Sequence, residues 1–285
     1  MQNGFCDLHA HSYYSDGTYS PSEIIDEAIR AGLSAVALTD HNTTAGLAEF
    51  SQYAAGKGVE AVCGVEFSTD FGERELHIVG LYIKPEYYDD INAMTAAMQE
   101  RKEESNRILI DKLRAIGIDI TYEEASRGAR GQMNRAHIAH AMCTKGYVDS
   151  IKDAFSLYLD PKLGIYEPPL RLDVFETIRF LRKIDAVPVL AHPFYSLESV
   201  ENIESFLSLA APAGLVGIET RYTTHTESMT AELQALARKY SLIESGGSDF
   251  HGEKRPGVML GRGYGELFVP LSSALELRST VNRKQ

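Results

Sequence analysis

Asp7-Leu8-His9-Ala10-His11 follows a short apolar lead, Gly4-Phe5-Cys6, and together they read as a first β-strand ending in a polar loop. Side chains alternate across a strand, so His9 and His11 share one face. Two imidazoles side by side at a strand end can clamp a divalent metal ion. Alone, the pair would read equally well as solvent-facing histidines. The same punctuation recurs, however. Asp40-His41 closes the apolar run 34–39, Glu66 the run 59–65, His192 the run 186–191, and Asp249 and His251 follow the run 242–245. A fold must bring these run ends together if they act together.

Between the runs lie helical patterns. Ser20-Pro21-Ser22-Glu23 opens a helix with Ser20 at the N-cap, Pro21 at N1 and Glu23 at N3, and Gly32 ends it. Further helices are expected over 44–55, 172–183, 197–209 and 227–240, and further strands over 75–83 and 215–220. His77 lies near the start of its strand and not at its end, so either that strand runs against its neighbours or His77 enters at a different height. From 91 to 117 the pattern becomes one long charged helix, followed by helical pieces at 122–127, 135–144 and 151–159 with no strand between them. Seven strands mostly separated by helices predict an α/β fold, a distorted (β/α)7 barrel with a small inserted helical subdomain. The barrel domain is expected at 1–99 and 168–285, and the insertion, a substrate lid, at 100–167. A doubly wound open sheet fits less well, because no Gly-rich phosphate loop follows the first strand.

Charge narrows the partners. A formal net charge of −12 argues against a general surface for duplex DNA or membrane, without excluding a local basic pocket for a phosphate. No apolar run is long enough to span a bilayer, and no signal-peptide pattern opens the chain. Cys6, Cys63 and Cys143 are scattered and odd in number, as expected of reduced thiols in a cytoplasmic protein.

Five of the nine histidines fall at strand ends, and His77 is a sixth candidate. One such residue is more often a packed core histidine than a ligand. Five independent coincidences point to a metal site. Imidazole and carboxylate without thiolate suit Mn²⁺, Fe²⁺ or Zn²⁺ better than Ca²⁺ or Mg²⁺. Nine candidates (His9, His11, Asp16, His41, Glu66, His77, His192, Asp249 and His251) are too many for one ion, so two or three are expected. Glu66 is the natural bridge, being the only Glu at a strand end in the set.

Asp7-Leu8-His9-Ala10-His11, Ser15-Asp16-Gly17, Thr39-Asp40-His41-Asn42-Thr43, Gly64-Val65-Glu66, His77-Ile78-Val79-Gly80, Ala191-His192-Pro193 and Gly247-Ser248-Asp249-Phe250-His251 resemble the polymerase-and-histidinol-phosphatase (PHP) family. More closely, the chain is similar to stand-alone PHP phosphoesterases of the nucleoside 3′,5′-bisphosphate phosphatase and ribosomal-RNA 5′-end exonuclease type. The resemblance spans nearly the whole chain. It implies a trimetal site, with His9, His11, Glu66 and Asp249 at the first metal, Glu66, His77 and His192 at the second, and Asp16, His41 and His251 at the third. It implies that Arg135 and His137, in Asn134-Arg135-Ala136-His137, face the substrate phosphate, and that His225 approaches the substrate. Arg221 replaces a residue usually uncharged in the family and is expected to affect which phosphate is preferred. Asp7 and Asp40 are expected either to orient ligand histidines or to cap their turns.

The activity so implied is hydrolysis of a phosphate ester of a nucleotide or short oligonucleotide, such as a nucleoside 3′,5′-bisphosphate, by a metal-bridged hydroxide. Glu66, His192, His225 and Arg135 carry the catalysis in this reading. Histidinol-phosphate or other small-metabolite hydrolysis, 5′-3′ exoribonuclease action and binuclear amidohydrolase chemistry are the alternatives.

Overall fold

A computed structural model describes residues 4–127, 133–169 and 171–281. The chain divides into two compact units, Met1–Asn92 with Leu172–Gln285, and Ala93–Arg171.

The first unit is built on a barrel-shaped, nearly closed sheet. Its elements in chain order are β1 (Phe5–Asp7), α1 (Pro21–Ala31), β2 (Ala35–Leu38), α2 (Leu47–Ala54), β3 (Glu60–Phe71) and β4 (Arg74–Leu81). The helix α3 (Tyr88–Ala115) follows, and after the second unit come β5 (Leu172–Asp173), α7 (Val174–Lys183), β6 (Val187–Leu190) and α8 (Pro193–Leu197). The chain then forms α9 (Val200–Ala213), β7 (Gly217–Tyr222), α10 (Glu227–Lys239), β8 (Ile243–Gly247), β9 (Val269–Pro270) and α11 (Leu271–Arg278). The expected capping box at Ser20 and Glu23 is formed, and Gly32 takes the left-handed conformation that ends α1.

The sheet order is β8-β7-β6-β4-β3-β2-β1-β9, with β5 added alongside β3. The expected seven strands are all present; β5 and β9, two residues each, are additions. The helix expected over 197–209 is α9, and a short additional helix, α8, precedes it and ends where Glu198 turns left-handed. Closure comes from the loop beyond β8. Leu8 N–H donates to Gly246 O at 3.1 Å, Asp249 N–H to His9 O at 2.9 Å and His11 N–H to Phe250 O at 2.9 Å. Alternate residues of five strands, among them Cys6, Ala35, Ala37, Val62, Val79, Leu81, Val187 and Val189, pack into one cluster with Ala274 and Leu277 of α11. That is the period of two expected when one strand face lines a barrel interior.

The direction of β4 settles the question about His77. β4 is antiparallel to both β3 and β6, whereas β1, β2 and β3 are mutually parallel, as are β6, β7 and β8. The cause is local: Phe71 pairs with Arg74, and Gly72, at φ +62°, turns the chain in a two-residue loop. His77 therefore pairs with Ser68, beyond Glu66 on β3, and starts its strand at the end where the others finish.

The second unit is helical, with the continuation of α3, then α4 (Tyr122–Ser126), α5 (Arg135–Thr144) and α6 (Ile151–Ala154), which runs on into a π-turn over Phe155–Leu159. It has its own core, including Leu109, Leu113, Ile120, Ile138, Met142 and Leu159.

Candidate metal centre

Glu66 is the hub. Only 1% of its surface is exposed, and five imidazoles surround its carboxylate. Oε2 lies 3.2 Å from His9 Nε2, His11 Nε2 and His41 Nδ1 alike. Oε1 lies 2.8 Å from His77 Nδ1 and 3.0 Å from His192 Nε2. Asp249 adds a second carboxylate, its Oδ1 3.2 Å from His11 Nε2 and 3.6 Å from His9 Nε2. Asp16 adds a third, with Oδ1 3.1 Å from His251 Nε2 and Oδ2 3.8 Å from His41 Nε2. All nine residues named from the sequence as metal candidates thus converge at one end of the barrel.

Among the described residues, four sets have ligand atoms within 4.8 Å of one another: His11, Asp16, His41 and His251; His9, His192 and Asp249; His9, His11 and Glu66; and His41, Glu66 and His77. The sets overlap through Glu66, His9, His11 and His41, as a centre with bridging groups requires.

The donors fit divalent cations. His9 Nε2 and His11 Nε2 face each other at 3.1 Å. His41 Nδ1 and His192 Nδ1 are buried with no hydrogen-bond partner among the described residues. Burial works against protonating His9, but Glu66, Glu219 and Asp249 outweigh it and raise its pKa well above the ordinary value. The same contest raises His11, beside Asp249 and Glu66, to about 10 and His77, beside Glu66 and Glu75, to about 10. Burial pushes His41 down to about 3, helped by His11 and His77. Burial likewise opposes ionisation of Glu66, yet the surrounding imidazoles hold it well below the carboxylate range. Protons on histidine thus balance the carboxylates when no cation is bound.

A metal ligand must be neutral imidazole, so ion uptake at pH 7 should release roughly three protons per chain, from His9, His11 and His77. Raised histidines contribute stability below the ordinary pKa of 6.5 that is lost as pH rises through about 10. Ion-free protein should therefore lose melting temperature over that window. Calorimetric titration in buffers of different ionisation enthalpy measures the protons; ion uptake with none released would contradict these charge states.

Neighbouring residues hold the donors in place. Asp7 accepts from the backbone N–H of His9 at 3.1 Å, of Ser248 at 3.0 Å and of Gly261 at 2.7 Å, so it ties β1 to the β8 loop. Asp40 accepts from Ser12 N–H at 2.8 Å and from the hydroxyls of Ser12 and Ser15, both at 2.6 Å, fixing the loop that carries Asp16. Both aspartates thus brace turns. Tyr222 donates to Asp249 Oδ2 at 2.7 Å and Arg255 pairs with the same oxygen, leaving Oδ1 turned toward His9 and His11. His192 and Asp249 have positive φ, +27° and +55°, a strained backbone that surrounding bonds must hold.

His225 lies beside this group. Its ring centroid is 5.3 Å from that of Tyr222, Nδ1 donates to Thr220 O at 3.2 Å, and Nε2 is buried without a partner among the described residues. Arg221 is not brought in: its guanidinium bonds Glu244 Oε2 at 2.6 Å. Arg135 and His137 belong to the second unit. There Arg135 donates to Leu159 O at 3.1 Å and stacks 4.4 Å over the Tyr166 ring, while His137 joins the capping box of α5 with Asn134. Glu219, Arg255 and Glu75 were not picked out by sequence reasoning. Glu219 alone left a signal, a charge inside the otherwise apolar run 215–220.

A barrel that gathers imidazoles and carboxylates around one buried glutamate at its strand ends is the frame of a metal-dependent hydrolase. A family model described as the PHP domain matches residues 7–164, more than half of the sequence, and the chain belongs to that family. A 3′,5′-nucleoside bisphosphate phosphatase of Chromobacterium violaceum is 32% identical over 247 residues, 86% of this chain and 86% of its own. A 5′-3′ exoribonuclease of Haemophilus influenzae is 32% identical over 248 residues, 86% of this chain and 89% of its own. Among solved structures, a protein assigned as a metal-dependent phosphoesterase from Bifidobacterium adolescentis aligns with a TM-score of 0.84 at 25% identity, covering 96% of each chain. The chain is a metal-dependent hydrolase of phosphate esters.

Proposed function

We propose that the chain hydrolyses a phosphate ester of a nucleotide or short oligonucleotide, such as a nucleoside 3′,5′-bisphosphate. The convergence of five imidazoles on Glu66, with Asp16 and Asp249 beside them, carries the reading. In it, His9, His11, Glu66 and Asp249 hold one divalent ion, Glu66, His77 and His192 a second, and Asp16, His41 and His251 a third, each Mn, Fe or Zn. Ions bound there would supply Lewis acidity toward phosphoryl oxygens and a lowered pKa for bound water.

The chain's own groups do the rest. The Thr220 carbonyl can only accept, so Nδ1 of His225 carries the hydrogen and Nε2 offers a lone pair. Burial lowers its pKa, which keeps the ring neutral near pH 7. His225 therefore suits accepting a proton from substrate or water better than delivering one. Tyr195, 77% exposed, stands edge-on to His192 with ring centroids 5.6 Å apart, an open aromatic face on which a base can stack. That feature, and the bisphosphate phosphatase and exoribonuclease relatives, favour a nucleotide over histidinol phosphate. The net charge of −12 favours a small substrate over a long nucleic acid.

The test is a screen of Mn-loaded protein against nucleoside bisphosphates, 5′-phosphorylated oligonucleotides and phosphorylated metabolites. Highest kcat/KM on a non-nucleotide ester would overturn the substrate class. Arg135 belongs to the proposal as a phosphate-binding group. Arg135→Ala should lower kcat/KM by roughly 10- to 100-fold, about 1.5–3 kcal/mol, and Arg135→Lys should recover only part, since an ammonium lacks the planar fork. Metal content should stay unchanged. Equal efficiency in all three proteins would remove Arg135 from the mechanism.

A further inference from the structure

Glu219, on β7, is 1% exposed and uses both carboxylate oxygens on the metal centre's own framework. Oε1 lies 2.9 Å from His9 Nδ1, and Oε2 accepts the backbone N–H of His192 at 2.7 Å. We infer that Glu219 is a positioning residue that selects the metal-binding tautomer of His9 and pins the strained His192 backbone in one stroke. The inference rests on the metal-centre reading above.

A carboxylate only accepts, so it holds the hydrogen of His9 on Nδ1. In the neutral ring that a metal ion requires, Nε2, which faces His11 Nε2 at 3.1 Å and Glu66 Oε2 at 3.2 Å, is then the lone-pair nitrogen. His192 sits at φ +27° and ψ +59°, outside the favoured regions for an L-residue. Its N–H, fixed by Oε2, is what holds that conformation and keeps Nε2 3.0 Å from Glu66. One carboxylate thus aims two candidate ligands that follow strands β1 and β6, which are not neighbours in the sheet.

Glutamine cannot substitute despite its equal size, because its amide has one accepting and one donating end. If its oxygen faces His9, its NH₂ meets the His192 N–H, donor against donor. If its oxygen takes His192, its NH₂ demands a lone pair at His9 Nδ1, which moves the ring hydrogen to Nε2 and blocks coordination there. Either orientation spoils one ligand.

The experiment titrates wild type, Glu219→Gln and Glu244→Gln with Zn²⁺ against a chromophoric chelator. Histidine-ring ¹⁵N spectra of the zinc-loaded proteins are recorded alongside. Glu244 is a carboxylate of the adjacent strand that pairs with Arg221, and its variant controls for loss of charge. Glu219→Gln should bind zinc about 10- to 100-fold more weakly, the usual cost of removing a group that orients a ligand. Glu244→Gln should bind like wild type, and only Glu219→Gln should alter the His9 or His192 ring signals. Equal affinity and unchanged ring signals in Glu219→Gln would overturn the inference while leaving the metal centre intact. If that variant does not fold, the wild-type spectrum decides: hydrogen on Nδ1 of His9 supports the inference and hydrogen on Nε2 overturns it. A wild-type chain that binds no zinc would instead remove the metal-centre reading, and this inference with it.

Discussion

Glu66→Ala should reduce phosphoester hydrolysis by at least on the order of 1,000-fold, with the barrel still formed. Both its oxygens are in use, Oε2 toward His9, His11 and His41 and Oε1 toward His77 and His192. Removing it deletes the one group shared among these donors, so ions held in adjacent positions would lose a shared carboxylate. It also takes away one of the carboxylates that draw protons to His9, His11 and His77, while Glu219 and Asp249 remain beside His9, Asp249 and Asp16 beside His11, and Glu75 beside His77. These partners spare the imidazoles from becoming buried, unpaired cations, and the fold survives. His192→Ala should show a similar loss by a narrower route, because it removes one donor and leaves the bridge. Circular dichroism, metal content and turnover measured together separate these effects. Near-wild-type turnover in either variant, with metal content confirmed, would contradict the assignment of Glu66 and His192 to the reacting centre.

Gly247→Ala should damage the fold severely. A Cβ there would lie 2.4 Å from His9 Cβ, 2.6 Å from His9 N and 2.8 Å from Asp7 Oδ1. All three belong to buried residues, and the His9 Cβ and backbone N cannot swing away. The strand ends must part, at a cost of about 3 kcal/mol or slightly more, against the hydrogen bonds by which Asp7 and His9 close the barrel. For a chain of this size that is a fall of roughly 6–12 °C in melting temperature. Parting the strands also shifts His9, so metal affinity should fall in parallel. Thermal unfolding with and without Mn²⁺ checks both, and a melting temperature equal to wild type would show that β8 and β1 are less tightly apposed than described.

Much of this was legible in the sequence, for physical reasons. Seven strands could be read because buried parallel strands are short apolar runs, and the capping box at Ser20 and Glu23 and the stop at Gly32 mark α1 without reference to tertiary structure. The nine candidate ligands were visible because a barrel puts its chemistry where apolar runs break into polar loops. Less visible was anything fixed by register. Phe71-Gly72-Glu73-Arg74 carries the hairpin that reverses β4, but a lone glycine in a polar stretch is a weak sign until the pairing of Phe71 with Arg74 is known. Glu219 lies inside a strand, where an alternating pattern cannot tell an inward carboxylate from an outward one. Regular alternation would put Arg221 on the face of Glu219, yet the register shifts between these two residues, and Arg221 turns to Glu244. The two-residue strands β5 and β9 are set by partners distant in sequence, Thr69 and Asp70 for one and Phe5 and Cys6 for the other.

The central claim is a centre of several ions built around one glutamate. Metal analysis of the purified protein, after loading with Mn²⁺ and removal of free ions, tests it most directly. Two or three ions per chain are expected, with at least one fewer in Glu66→Ala, and hydrolysis lost on chelation and restored on reloading. One ion or none per wild-type chain, with hydrolysis intact, would contradict it.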